Sequence, residues 1–361
     1  MRRDKFFWLL LFVLGINLMI RIYFYREEYL SRYDPVYWEE RYFKSQWVMA
    51  EPEETIGDDG LYAYAGWEYL HGRDPTTLNA EMPPLGKYLI GLSIFVFGNQ
   101  NIFALISGFL VLVVFYRMNR LVFRNHLWAL LPVVLFSLEP LFWQQLRAPF
   151  LDLLYLLFLF LTFHFFLRHR FFLAAFFLGL MAAIKASAST FLLVGLTTIL
   201  YFLFKKRWDW LKQWLFFLPV SLLSFTATYF RYFWLGHSLK EFLGVQKWIL
   251  LFYQRGARAA LGSVWPMLLI GRWLTWWNNL VKIAEWQITW PILLVFSIWY
   301  LVFGIFKKRF DAFWLFGLWT FIYLLFLSFL PVWPRYLLVI MPFMYNLAVW
   351  QLNWLRNIKN R

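Results

Sequence analysis

Long apolar runs recur along this chain, separated by short basic clusters and by two longer regions of mixed polarity. The runs fall at roughly 6–25, 101–118, 127–143, 149–167, 171–185, 188–204, 210–230, 287–306, 311–330 and 335–353. None shows the strict alternation of a barrel strand, and several approach the ~20 residues a membrane-crossing helix needs. The pattern predicts an all-α polytopic membrane protein of about 10–11 transmembrane helices, forming a single membrane-embedded domain over residues 1–361. The first run follows Met1-Arg2-Arg3-Asp4-Lys5 in the manner of a signal peptide. Arg21-Ile22-Tyr23-Phe24-Tyr25 stands where a small-residue cleavage site would be, so the run reads as an uncleaved first helix.

The basic clusters set the orientation. Arg2/Arg3/Lys5, Arg117/Arg120/Arg124, Arg168/Arg170, Lys205/Lys206/Arg207, Lys307/Lys308/Arg309 and Arg356/Lys359/Arg361 all fall on one face, which the positive-inside rule makes cytoplasmic. This parity requires that Tyr88–Phe97, which ends at Gly98-Asn99-Gln100-Asn101, does not cross. It reads as a juxtamembrane or partly inserted helix started by Pro83 and Pro84. Both termini are then cytoplasmic, and two regions lie outside: a first loop, 26–100, and a second from about 231 to 286. The second holds Trp265-Pro266 and Trp273-Leu274-Thr275-Trp276-Trp277, most of which an interfacial aromatic belt explains.

Composition agrees with this picture. The chain is 62% hydrophobic and 15% charged, against roughly half and a quarter in soluble domains. The net charge of +15 sits in the orienting clusters, which removes nucleic acid as the natural partner. Without cysteine there is no disulfide, thiolate metal site or thiol nucleophile. His71, His126, His164, His169 and His237 show no metal-ligand spacing, so no metal site is assigned. The compact length favours a prokaryotic plasma membrane.

Carboxylates are unevenly placed. Residues 26–83 hold 13 of the 20 Asp and Glu, including Gly57-Asp58-Asp59-Gly60 and the Glu81 of Glu81-Met82-Pro83-Pro84-Leu85-Gly86-Lys87. Charges next to apolar spans are expensive and ask for a partner or a role. Glu139, Arg147, Asp152, Lys185 and Arg335 all map to the outer side, level with Asp58 and Asp59. Such a layout suits a cavity open to the outside and lined by both signs of charge. The plainer reading is a set of interfacial residues snorkelling or pairing at helix ends.

These segments resemble the GT-C glycosyltransferases that use polyprenyl-phosphate-linked sugars, most of all the protein O-mannosyltransferase family, with the lipid A aminoarabinose transferases as cousins. In that family the first external loop opens with an Asp-Glu pair and a Tyr-containing helix; here it reads Asp58-Asp59-Gly60-Leu61-Tyr62-Ala63-Tyr64-Ala65. The family's His-Pro-Pro-Leu-Gly-Lys motif is matched by Met82-Pro83-Pro84-Leu85-Gly86-Lys87. Looser matches are Glu139-Pro140-Leu141 with Gln145 to Asp152, Gly179-Leu180 to Lys185-Ala186-Ser187, and Pro334-Arg335-Tyr336-Leu337. The likeness spans roughly residues 50–345. Asp59 departs from Glu, Met82 from His or Lys, and a His-Pro-Tyr element is missing before Trp265.

The resemblance implies a GT-C bundle with juxtamembrane helices in its first loop. It also implies transfer of a hexosyl or mannosyl-type sugar from a polyprenyl-phosphate carrier to an acceptor hydroxyl on the external face, with inversion. Asp58 would be the base and Asp59 would position hydroxyls. Arg147 leads the candidates for the leaving phosphate and Lys87 comes second; Glu81, Asp152, Lys185 and Arg335 complete the donor set. No cofactor is required on this reading, and a divalent cation between Glu81 and Asp58 is the weaker alternative. The partners are the lipid-linked donor, a protein, lipid or glycan acceptor, and membrane lipids. Two other classes stay open: a flippase or transporter of lipid-linked sugar, and a non-catalytic subunit of a cell-envelope complex.

Overall fold

A computed structural model describes residues 2–256, 261–275 and 279–359; Trp276, Trp277 and Arg361 lie outside the described residues. The first apolar run is a single helix, α1 (Arg2–Phe24), followed by the short α2 (Arg26–Leu30). Three helices then build the first loop. α3 (Pro35–Phe43) is started by Asp34, whose carboxylate accepts from the amides of Val36 and Tyr37 at 3.0 and 3.2 Å, with Pro35 at the position where a missing N–H is harmless. α4 (Asp58–Leu70) opens on the Asp pair. α5 (Leu85–Phe97) runs from Pro84 to Gly98, whose φ of +67° is the left-handed conformation that glycine adopts without strain.

The bundle continues with α6 (Ile102–Val122), α7 (His126–Ser137), α8 (Pro140–Leu146), α9 (Asp152–Leu167), α10 (Phe171–Ala182), α11 (Ser187–Lys205) and α12 (Trp208–Ala227). The second loop region contains α13 (Phe230–Trp234), α14 (Leu239–Gly256), α15 (Val264–Ile270) and an antiparallel pair of three-residue strands, β1 (Arg272–Leu274) and β2 (Leu280–Lys282). That hairpin apart, the fold is helical, closing with α16 (Thr289–Phe306), α17 (Ala312–Leu327), a 3₁₀ segment (Pro334–Val339) and α18 (Met341–Lys359). α9 is the central helix. It is buried along most of its length, with Phe160 stacked on Phe115 at 4.9 Å and Phe163 edge-on to Trp319 at 5.6 Å.

Four helices among the described residues are individually long and apolar enough to cross a bilayer: Lys5–Phe24, Ile102–Val122, Ser187–Lys205 and Thr289–Phe306. α7 and α8, bent by 68° at the break between them, pass the same test only when taken together, as a broken span or a re-entrant loop. The sequence runs therefore map onto helices, but several of those helices stop short of bilayer length. The physical reason is visible at the breaks. Pro140 ends the run expected at 127–143, because it lacks an N–H and pushes Glu139 into extended backbone at ψ 126°. α10 stops before Lys185, and α9 starts only at Asp152. Irregular backbone at such points is tolerated where it lines a protein interior.

Candidate active site

Two glycines decide how the acidic loop meets the Pro-Pro motif. A Cβ on Gly66 of α4 would lie 2.3 Å from the Lys87 carbonyl oxygen, and one on Gly91 of α5 would lie 2.2 Å from the Gly66 carbonyl oxygen. The helices thus touch backbone to backbone, which only glycine on both sides permits. The start of α5 is pinned in turn: the Leu85 amide donates to the Ala183 carbonyl at 3.1 Å, and Gly86 packs against Leu151 and Ile184. These contacts bring the first loop over the N-terminus of α9 and the α10–α11 turn.

A chain of alternating charges lies there. Arg335, from the 3₁₀ segment, donates through Nη2 to Asp58 Oδ2. Its Nε lies 3.7 Å from Asp152 Oδ2, and Lys185 Nζ donates to Asp152 Oδ1 at 2.7 Å. Exposure is graded along it: the side chain of Asp152 is 5% exposed, Arg335 12%, Lys185 13% and Asp58 38%. Asp152 is therefore the buried anchor of two cations, and Asp58 is the solvent-side member. Lys185 also sits 4.3 Å from the centre of the Tyr336 ring, and Arg335 lies 5.0 Å from that of Phe150. Ala186, next to Lys185, holds a left-handed φ of +50°, a strained conformation for a residue with a Cβ.

The other expected site residues are placed differently. Arg147 donates to Glu28 Oε1 of α2 at 3.2 Å and covers the Tyr25 ring at 4.8 Å, with half its side chain exposed. No polar contact among the described residues joins it to Asp58. Lys87 is fully buried, and its ammonium donates to the carbonyls of Asn79 and Met82 at 2.6 and 2.8 Å. It pins the loop ahead of α5 through these two carbonyls, a role different from the phosphate contact that the resemblance implied. Glu81 is also buried and accepts from the Asn79 side chain. Burial pushes its carboxyl up from the ordinary range. Asp59 turns back over Gly57 and makes no side-chain hydrogen bond among the described residues.

Tyr253 escaped the sequence reading. Its hydroxyl, on α14, donates to the Glu81 carbonyl at 3.3 Å and faces Met82 Sδ at 3.4 Å, laying the second loop region across the motif. Arg231 does the same nearby, donating to the Gly72 carbonyl at 3.0 and 2.7 Å, and His237 meets Asp74 at 2.8 Å. The two regions read as external thus cap the same end of the bundle. Nothing local in the sequence marks Tyr253, since its partner is a backbone carbonyl 172 residues away. Glu139 belongs to another place: it is buried in the bundle, accepting from Trp290 at 2.9 Å and Tyr345 at 2.8 Å. No group of three or more His, Asp or Glu able to hold a metal ion occurs among the described residues.

No family model matches the chain, and no curated protein matches it. Two solved structures do. ArnT from Cupriavidus metallidurans bound to undecaprenyl phosphate superposes with a TM-score of 0.59 at 17% identity, over 82% of this chain and 56% of that one. The apo state of the same protein gives a TM-score of 0.52 at 16% identity, over 82% and 55%. The chain therefore spans little more than half the length of the structures it matches. At this identity the likeness establishes the fold alone: a polytopic, membrane-integral helical bundle like that of those two structures.

Proposed function

We propose that the protein is a membrane glycosyltransferase that takes a sugar from a polyprenyl-phosphate carrier and passes it to an acceptor hydroxyl outside the membrane. The observation that carries this reading is the Asp58–Arg335–Asp152–Lys185 chain, set under the first loop of a fold shared with a protein that binds undecaprenyl phosphate. Two cations held by one buried carboxylate are a receptor for phosphate. Asp58 is the exposed partner, so an incoming phosphate competes with it for the Arg335 guanidinium and leaves its carboxylate free.

The chemistry then follows from charge. The acceptor oxygen attacks the anomeric carbon as its proton passes to the Asp58 carboxylate. The bond from that carbon to the phosphate oxygen breaks, and the lipid phosphate leaves with the electron pair. A singly charged phosphodiester becomes a doubly charged monoester, so Arg335 and Lys185 stabilise the departing group more than the bound donor, which is what catalysis requires. In-line attack gives inversion. Asp59 at the first turn of α4 orients hydroxyl groups of acceptor or sugar, and the Arg147–Glu28 pair stands at the rim.

The test compares purified wild type with Asp58→Asn on a polyprenyl-phosphate sugar and reads release of polyprenyl phosphate. Loss of the base predicts a fall in turnover of about 10²–10⁴-fold. Equal turnover removes Asp58 from that role. Movement of the lipid-linked sugar across vesicles without bond cleavage would place the protein among flippases.

A further inference from the structure

At the end of the bundle away from the Asp58 cluster lies a cavity of about 610 Å³. The separation follows from α9, a helix of 16 residues that starts at Asp152 in the cluster and ends at Leu167, roughly 22 Å away at 1.5 Å per residue. Leu167 lines an adjoining cavity of about 210 Å³ that shares Leu121, Val122, Asp311 and Ala312 with the larger one. The larger volume falls in the range of small-molecule sites.

Its charge is unbalanced. Arg124 comes from the α6–α7 turn, Arg309 from the α16–α17 turn and Arg356 from the end of α18, and the one carboxylate in the lining is Asp311. Asp311 is already engaged. It accepts from Arg309 Nε at 2.7 Å and from the Tyr300 hydroxyl at 2.8 Å, and it caps α17 through the amides of Phe313 and Trp314. Among the described residues, neither Arg124 nor Arg356 meets a carboxylate. Apart from Asn125 and Asn353, the remaining walls are apolar and aromatic, with Trp128 and Trp350 prominent. Two guanidiniums that meet no carboxylate among the described residues, in an aromatic-walled cavity of a membrane-integral bundle, fit a phosphate carried on an apolar body.

We propose that this cavity binds the phosphate head group of an anionic membrane lipid from the leaflet opposite the Asp58 cluster. Arg124 and Arg356 grip the phosphate oxygens, while the aromatic walls hold the glycerol and the upper acyl chain. The bound lipid ties the α6–α7 turn to the end of α18, whose arginines otherwise repel one another.

Delipidated full-length protein in non-ionic detergent, titrated with phosphatidylglycerol and read by native mass spectrometry, tests this. Wild type should retain phosphatidylglycerol in preference to phosphatidylethanolamine, and Arg124→Gln/Arg356→Gln should bind it roughly a hundredfold more weakly, about tenfold for each lost charged contact. Arg124→Lys/Arg356→Lys, which keeps both charges but loses the planar fork, should fall between the two and guards against a folding defect. Equal retention by wild type and the glutamine variant overturns the proposal, as does equal retention of the two lipids. A parallel titration with inorganic phosphate separates the sources: saturable phosphate binding that the glutamine variant loses, with no lipid retained, overturns the lipid in favour of a free anion.

Discussion

Asp152 offers the sharpest check on how the cluster is held together. Its carboxylate is 5% exposed and serves Lys185 at 2.7 Å and Arg335 at 3.7 Å. At an effective dielectric near 20, those distances correspond to attractions of roughly 6 and 4 kcal/mol before desolvation is counted. Desolvation of the three groups offsets most of that gain in the intact protein. In Asp152→Asn the two cations stay buried while the charge between them is gone, so the penalty remains without its compensation. Asparagine has nearly the same shape, which keeps cavity effects out of the comparison. The expected loss is about 3–5 kcal/mol, the range for removing one member of a buried ion pair.

The assay is reversible denaturant unfolding in one detergent, followed by tryptophan fluorescence, for Asp152→Asn, Lys185→Met and the double variant. Because Lys185→Met removes a charge that Asp152→Asn would orphan, the double variant should cost about 1–3 kcal/mol less than the two single losses added together. Single variants that add without coupling would refute the reasoning. So would an Asp152→Asn within about 1 kcal/mol of wild type, since both results describe charges that water already solvates.

Four other outcomes follow from the same geometry. Asp58→Asn should lower polyprenyl phosphate release by about 10²–10⁴-fold with little change in melting temperature, because Asp58 is the exposed end of the chain. Gly91→Ala places a methyl 2.2 Å from a backbone carbonyl oxygen and should cost about 1–3 kcal/mol as α4 and α5 are forced apart; a neutral effect in thermal unfolding would refute the close contact. Lys87→Met should lower the melting temperature, costing about 1–3 kcal/mol for two buried carbonyls left without a donor, whereas an unchanged melting temperature with a raised donor KM would return Lys87 to the phosphate. Glu81 gives a pH signature: a carboxyl raised in the folded protein adds stability below its unfolded value and loses it as pH rises through the folded value. Glu81→Gln removes that loss, so its melting temperature relative to wild type should climb between pH 4 and pH 7; a constant difference would refute the burial effect.

Much of the fold was legible because a membrane restricts what a chain can do. Apolar runs had to become helices, Pro84 and Gly98 bounded α5 by backbone chemistry alone, and Asp58, Asp152, Lys185 and Arg335 could be assigned to one end of the bundle from the parity of the spans. Pro140 broke an expected span for an equally local reason, one present in the sequence. Sequence by itself thus determined which stretches are helical and that Asp58, Asp152, Lys185 and Arg335 share a level, although it set Glu139 at that level too and missed several helix ends. Tertiary structure alone decided which charges meet. Asp58 pairs with Arg335, 277 residues away, while Arg147 turns to Glu28 and Lys87 is drawn inward by the contact of Gly66 with Gly91. Hydrophobic periodicity carries the position of a residue along a helix, but the rotation of that helix, and so the direction of each side chain, is set by packing against partners distant in sequence. The identity of the cation beside Asp58 is a consequence of that packing.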